Sequence, residues 1–169
     1  MKKTGIFFGS STGNTESVAY KLQHLLGDQN AETHNVETAE QADLERYPFL
    51  IFGTSTWGIG ELQDDWESFL EIVDKVDLSQ KKVALFGLGD QEIYPDSFAD
   101  AIGKIYDRIE GSTTIVGQWP TDGYDFEESV AVKNNQFVGL ILDIDNQPSL
   151  SDSRINAWVE LLKKEFQLD

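Results

Sequence analysis

Three short segments hold the residues whose types and spacing could do chemistry. The first reads Gly9-Ser10-Ser11-Thr12-Gly13-Asn14-Thr15-Glu16. Glycines let a backbone bend and approach a ligand closely. Where such a loop opens a helix, its amides converge on one spot and the helix dipole favours an anion there. Ser10, Ser11, Thr12 and Thr15 add hydroxyl donors. A nucleoside-triphosphate loop requires Gly-x4-Gly-Lys-Ser/Thr. Here only three residues separate Gly9 from Gly13, and Asn14 stands in place of the lysine. No cation is available to offset a triphosphate, and Glu16 makes a highly charged ligand less welcome. Ser11 breaks the dinucleotide fingerprint Gly-x-Gly-x-x-Gly. What remains suits a single phosphate monoester held by neutral donors. The plainer alternative is a helix start whose orphan amides are capped by Ser and Thr.

The second segment reads Thr54-Ser55-Thr56-Trp57-Gly58-Ile59-Gly60-Glu61-Leu62, and the third Gly87-Leu88-Gly89-Asp90-Gln91-Glu92-Ile93-Tyr94-Pro95-Asp96. Each presents a large ring in a glycine-rich loop. Aromatic side chains carry much apolar area and favour a flat partner. Two rings facing one cleft can sandwich a planar heterocycle. The plainer alternative is that Trp57 and Tyr94 pack onto neighbouring helices.

Positioning these segments requires a frame, and the hydrophobic pattern describes one. Gly5–Phe8, Glu32–Val36, Phe49–Gly53 and Lys82–Phe86 read as strands, with further strand candidates at Thr113–Gly117 and Phe137–Asp143. Helical patterns fall at Thr15–Leu26, Asp65–Val73, Phe98–Ile109 and Ser153–Phe166. On the first, Val18, Leu22, Leu25 and Leu26 share a face. On the last, Ile155, Trp158, Val159, Leu162 and Phe166 do. Strands alternating with helices predict a parallel sheet covered on both faces. In such sheets ligands bind at the carboxyl ends of the strands, where all three segments fall. Gln118–Gln136 is a long polar connection, of the kind that is usually functional or an insertion.

Composition excludes several classes of function. A chain of 169 residues fits one domain. It has no cysteine and two histidines, which removes disulfides, thiolate metal sites, iron–sulfur clusters and multi-histidine metal sites. Redox chemistry would therefore need a bound organic cofactor. The net charge of −17 repels nucleic acid and anionic membranes and attracts basic protein surfaces. No apolar run approaches the roughly 20 residues of a membrane span. Ile6-Phe7-Phe8, interrupted by Gly9, is too short for the apolar core of a signal peptide, so a cytoplasmic location is expected.

The three segments, in this order and spacing, resemble the phosphate loop and two flavin loops of flavodoxins. The similarity extends from the first strand to the final helix. Trp119-Pro120-Thr121-Asp122-Gly123-Tyr124-Asp125-Phe126 and Phe137-Val138-Gly139-Leu140 resemble the insertion and resumed strand of the long-chain subfamily. The resemblance implies one α/β domain over residues 1–169. Its fold would be a doubly wound, five-stranded parallel sheet of order 2-1-3-4-5 with helices on both faces. An insertion at about residues 118–136 would interrupt the fifth strand.

It also implies bound FMN. Ser10, Ser11, Thr12, Gly13, Asn14 and Thr15 would hold the phosphate. Trp57 would stack on the inner ring face and Tyr94 on the outer. Backbone groups of Thr56, Gly58, Gly89 and Asp90 would meet the polar ring edges. Ile59 and Gly60 would complete the second loop, and the Gly58–Ile59 peptide would reorient on reduction. Asp145 would lie near the ribityl hydroxyls.

The implied function is a low-potential one-electron carrier, cycling between semiquinone and hydroquinone, without substrate turnover of its own. Its partners would be redox proteins with basic docking surfaces, a reductase-type donor and a low-potential acceptor. It would act as a monomer, with neither nucleic acid nor membrane as partner. Glu61, Asp64, Asp65 and Glu67 form a candidate docking surface, although carboxylates at a helix start are also favourable there. The alternative is an FMN-dependent reductase, which needs room for substrate beside the ring, where Tyr94 would stand. A phospho-acceptor receiver would need acidic residues at the end of the first strand, where Gly9-Ser10 stand.

Overall fold

The computed structural model describes residues 2–168. The elements run in the order β1 (Thr4–Gly9), α1 (Asn14–Leu26), β2 (Ala31–Asn35), α2 (Gln41–Glu45), β3 (Phe49–Trp57), β4 (Glu61–Leu62), α3 (Asp64–Val73) and β5 (Lys82–Leu88). There follow α4 (Asp100–Ile109), β6 (Thr114–Val116), β7 (Trp119–Pro120), β8 (Val132–Lys133), β9 (Gln136–Phe137), β10 (Leu140–Leu142) and α5 (Ser151–Glu165).

The main sheet is ordered β2-β1-β3-β5-β10, with every neighbouring pair parallel. β3 lines one side of β5 along its whole length. On the other side, β6 pairs with Lys82–Ala84 and β10 with Phe86–Leu88. β6 and β10 thus share one strand position in two halves. The chain between them forms a small antiparallel sheet, β7-β9-β8.

Alternation along the strands divides the core in two, because successive side chains point to opposite faces. Ile6, Phe8, Ile51, Ala84, Phe86, Leu140 and Leu142 meet Val18, Ala19 and Leu22 of α1 and Ile155, Trp158 and Leu162 of α5. Phe7, Leu50, Phe52, Val83, Leu85 and Ile141 meet Trp66, Phe69 and Val73 of α3 and Ile102, Ile105 and Ile109 of α4. Large rings on one strand need space on the next. A Cβ on Gly53 would stand 2.0 Å from the Phe86 ring, so only glycine fits under that ring.

Several boundaries differ from the sequence reading, each for a physical reason. β3 does not stop at Gly53. Thr54 and Ser55 continue the ladder with β5, and Thr56 and Trp57 pair back onto β4. The second segment is therefore a hairpin turning at Gly58-Ile59-Gly60, not a strand-to-helix loop. The parallel strand resumes at Leu140 rather than Phe137. Phe137 instead pairs with Trp119 in the small sheet and packs among Phe98, Tyr124 and Phe126. Helix α4 starts at Asp100 rather than Phe98, because Ala99 takes a left-handed conformation with φ 55°. Helix α2 is only five residues long, too short to show a helical period.

Candidate functional site

The carboxyl ends of β1, β3, β5 and β10 surround one cleft with a volume of about 320 Å³. Its walls are Thr12 and Asn14 after β1, Ser55 to Gly58 at the end of β3, Leu88 to Asp90 and Tyr94 after β5, and Ile144 and Asp145 after β10. Each wall follows from the local fold. Parallel strands end together, and the chain must leave each end through a loop before the next helix.

At the first loop the N-cap of α1 is Gly13, with φ 92° and no side-chain cap. With glycine at this position, the N-cap itself offers no hydroxyl to the helix amides. The Ser10 hydroxyl instead accepts from Gly13 N–H at 3.0 Å and braces the loop internally. Ser11, Thr12 and Asn14 are exposed, whereas Thr15 is buried. Of the six residues Ser10 to Thr15, Thr12 and Asn14 line the cleft, and Ser11 lines an adjoining hollow with Trp57 and Asp64; Ser10, Gly13 and Thr15 line neither.

The second wall is the β3–β4 hairpin. Trp57 pairs with Glu61 and remains 39% exposed, so its ring is a wall and not core. The Thr56 hydroxyl accepts from Ala101 N–H at 3.2 Å and ties the hairpin to the start of α4. Gly58 and Gly60 have φ values of 49° and 79°. A Cβ on Gly60 would stand 2.7 Å from Asp100 Oδ2, while one on Gly58 would meet nothing closer than the Glu61 carboxyl at 3.9 Å. Burial pushes the Asp100 carboxyl above the usual range, against a hydrogen bond from Val130 N–H. Ile59, 83% exposed at the tip, and Gly60 do not line the cleft.

In the third wall, Asp90 folds its loop around itself. Its Oδ1 accepts from Glu92 N–H, Ile93 N–H and Asn146 Nδ2 at 3.1, 2.9 and 2.8 Å. Burial pushes this carboxyl up, but those three donors outweigh it and hold it below the usual carboxylate range. Tyr94, 39% exposed, lines the cleft from the loop after β5.

Asp143 and Asp145 divide the labour at the fourth wall. Asp145 is exposed and lines the cleft. Asp143 is fully buried below it. Its Oδ2 accepts from Gln91 N–H at 3.0 Å and Gln91 Nε2 at 2.7 Å, and its Oδ1 from Asn146 N–H at 3.0 Å. Asn146 Nδ2 adds a contact of 2.9 Å to Oδ2. Gln91 Oε1 in turn accepts from Asp125 N–H at 2.5 Å, which joins this network to the insertion.

The structure thus brings Thr12, Asn14, Thr56, Trp57, Gly58, Gly89, Asp90, Tyr94 and Asp145 into one cleft. Ser55, Leu88 and Ile144 also line it and were missed. Ser55 and Leu88 sit inside the two aromatic segments and were within reach of that signal. Ile144 lies between two aspartates and carries no pattern. No lysine or arginine lines the cleft. Among the described residues, no group of three or more His, Asp or Glu is placed to hold a metal, and no helix is long and apolar enough to cross a membrane.

A model of the flavodoxin family matches residues 6–158. A flavodoxin of Nostoc sp. is 51% identical over 99% of both chains. Flavodoxin 1 of Escherichia coli is 47% identical over 100% of this chain and 97% of its own. Among solved structures, the flavodoxin of Fusobacterium nucleatum bound to flavin mononucleotide superposes with a TM-score of 0.92 at 34% identity, covering 98% of this chain and 99% of that one. A family match over most of the length and whole-chain relatives near half identity lead to one conclusion: the chain belongs to the flavodoxin family.

Proposed function

We propose that residues 1–169 form one domain of the long-chain type that holds one FMN in the cleft and carries single electrons between redox proteins. The observation that supports this most directly is the pairing of walls. Trp57 and Tyr94 line one cleft from different loops, together with the apolar side chains of Leu88 and Ile144 and the uncharged polar side chains of Thr12 and Asn14. A flat heterocycle with a phosphate tail fits that donor set. When bound, the flavin supplies one-electron chemistry, and the protein's part is to hold it and set its potentials.

In this reading Ser10 to Thr15 receive the phosphate, with Thr12 and Asn14 facing it. Trp57 and Tyr94 hold the ring from either side. Backbone groups of Thr56, Gly58, Gly89 and Asp90 meet its polar edges, Ile59 and Gly60 shape the turn, and Asp145 serves the ribityl chain. Without a cation in the cleft, and with Asp90 held ionised beside it, added negative charge on the ring is disfavoured. About 1.4 kcal/mol of such disfavour lowers a one-electron potential by about 59 mV. The carrier is accordingly low-potential. Isothermal titration of flavin-free protein with FMN tests the binding directly. One equivalent bound per chain is expected, and absence of uptake contradicts the proposal.

Gly58 has the left-handed backbone that only glycine adopts without cost. Because a Cβ there meets open space, Gly58→Ala isolates the backbone term, about 1 kcal/mol. The expected result is a loss of about 1 kcal/mol in urea unfolding of the flavin-free protein, together with a first one-electron potential shifted by about 40 mV where the turn changes on reduction. An unaltered potential in a redox titration removes the role given to this turn.

The partners are redox proteins with basic docking faces, met in the cytoplasm by the monomer. Exposed Glu61, Asp64 and Glu67 flank the Trp57 hairpin. Charge at an interface rim acts mainly on encounter rate. Reversing Glu61 and Asp64 to lysine is expected to slow electron transfer from a basic reductase about tenfold at low ionic strength, with the difference fading as salt screens it. Equal slowing at high salt would point instead to a damaged site.

A further inference from the structure

Gln63 is a polar side chain buried at 2% exposure, and it lies outside the cleft lining. It follows β4 and caps α3, its Oε1 accepting from Asp65 N–H at 3.1 Å. Its Nε2 donates to Asp65 Oδ2 at 2.8 Å and to the Ser11 hydroxyl at 3.2 Å. These partners fix the amide's orientation: an N–H needs the oxygen end, and a carboxylate needs the nitrogen end. Room for the side chain comes from Gly9, where a Cβ would stand 2.2 Å from Gln63 Oε1.

The consequence falls on Ser11. A hydroxyl has one proton to give. Because Ser11 Oγ accepts from Gln63, that proton is not drawn inward and is left for an acceptor on the ligand side of the loop. We infer that Gln63 is a positioning residue for phosphate recognition: it orients the Ser11 hydroxyl as a donor to the phosphate of the bound flavin and fixes the phosphate loop to the hairpin carrying Trp57. This rests on the FMN reading above and adds to it a residue that never touches the ligand. Its expected consequence is a preference for the phosphorylated flavin over riboflavin, which shares the ring and ribityl chain and lacks the anion.

The test compares FMN and riboflavin affinities of flavin-free full-length protein by quenching of flavin fluorescence. Gln63→Leu removes the donor, and FMN affinity is expected to fall about tenfold, the loss of one charge-assisted hydrogen bond. Riboflavin affinity is expected to stay within about twofold. Gln63→Glu keeps an acceptor for Asp65 N–H but draws the Ser11 proton inward. Its loss for FMN is expected to exceed that of the leucine variant, again without a matching loss for riboflavin. In a Ser11→Ala background, Gln63→Leu is expected to add less than about twofold, because the two act as one unit. Equal losses for both flavins, or losses that multiply across the Ser11 and Gln63 changes, overturn the inference and leave Gln63 a helix cap. Wild-type protein that binds neither flavin overturns the FMN reading itself, and this inference with it.

Discussion

Replacing Trp57 and Tyr94 together by alanine is expected to weaken FMN binding about a thousandfold, from about 2 kcal/mol of stacking lost at each ring. Both rings are 39% exposed, Trp57 at the end of β3 and Tyr94 in the loop after β5, so neither supports the core. Stability of the flavin-free protein is expected to stay within about 0.5 kcal/mol for each change. The two effects separate cleanly: flavin titration reads the first and urea unfolding the second. Trp57 is held by the β3–β4 ladder and by the Thr56 hydroxyl, so its ring is presented in place before ligand arrives. Such preorganisation reduces the ordering cost of binding. If the double variant bound FMN as tightly as wild type, the cleft would not be the flavin site.

The second large effect is expected at Asp143, which touches no ligand in this account. Its carboxylate is fully buried and gathers donors from Gln91 and Asn146. Asp143→Ala leaves four polar hydrogens facing a void at the junction of two cleft loops. Buried unpaired groups cost ~1–3 kcal/mol each, partly relieved when water enters, so a loss of about 4 kcal/mol in urea unfolding is expected. Asp143→Asn keeps one acceptor oxygen but turns an NH2 toward donors, and about half that loss is expected. FMN affinity should fall in both, because Asp90 and Asp145 line the cleft from the two loops that Asp143 ties together. An alanine variant as stable as wild type would show that the network contributes nothing net.

The sequence was most readable where local pattern and tertiary structure agree. In β1, β3 and β5 an apolar run is followed by a glycine (Gly9, Gly53 and Gly87), and the inward faces of α1 and α5 show as helical spacing. The aromatic segments marked the cleft because a ring among glycines is conspicuous. What could not be read depends on partners far along the chain. β4 is two residues long and exists only because β3 turns back on it. Gln91 meets Asp143, and Gln63 meets Ser11, across 52 positions in each case. No periodicity links such residues; only the closing of the sheet brings them together. For the same reason, Asp145 and Asp143 look alike as sequence, while the fold makes one a cleft wall and the other a buried tie.

The measurement that tests the central claim most directly is the visible spectrum of the purified protein during stepwise anaerobic reduction. A yellow, two-banded flavin spectrum is expected, giving way to a transient long-wavelength band midway and then bleaching, as the flavin takes its two electrons one at a time. Direct bleaching without the intermediate band would contradict one-electron carriage. A colourless protein that takes up no FMN would contradict the flavin site altogether.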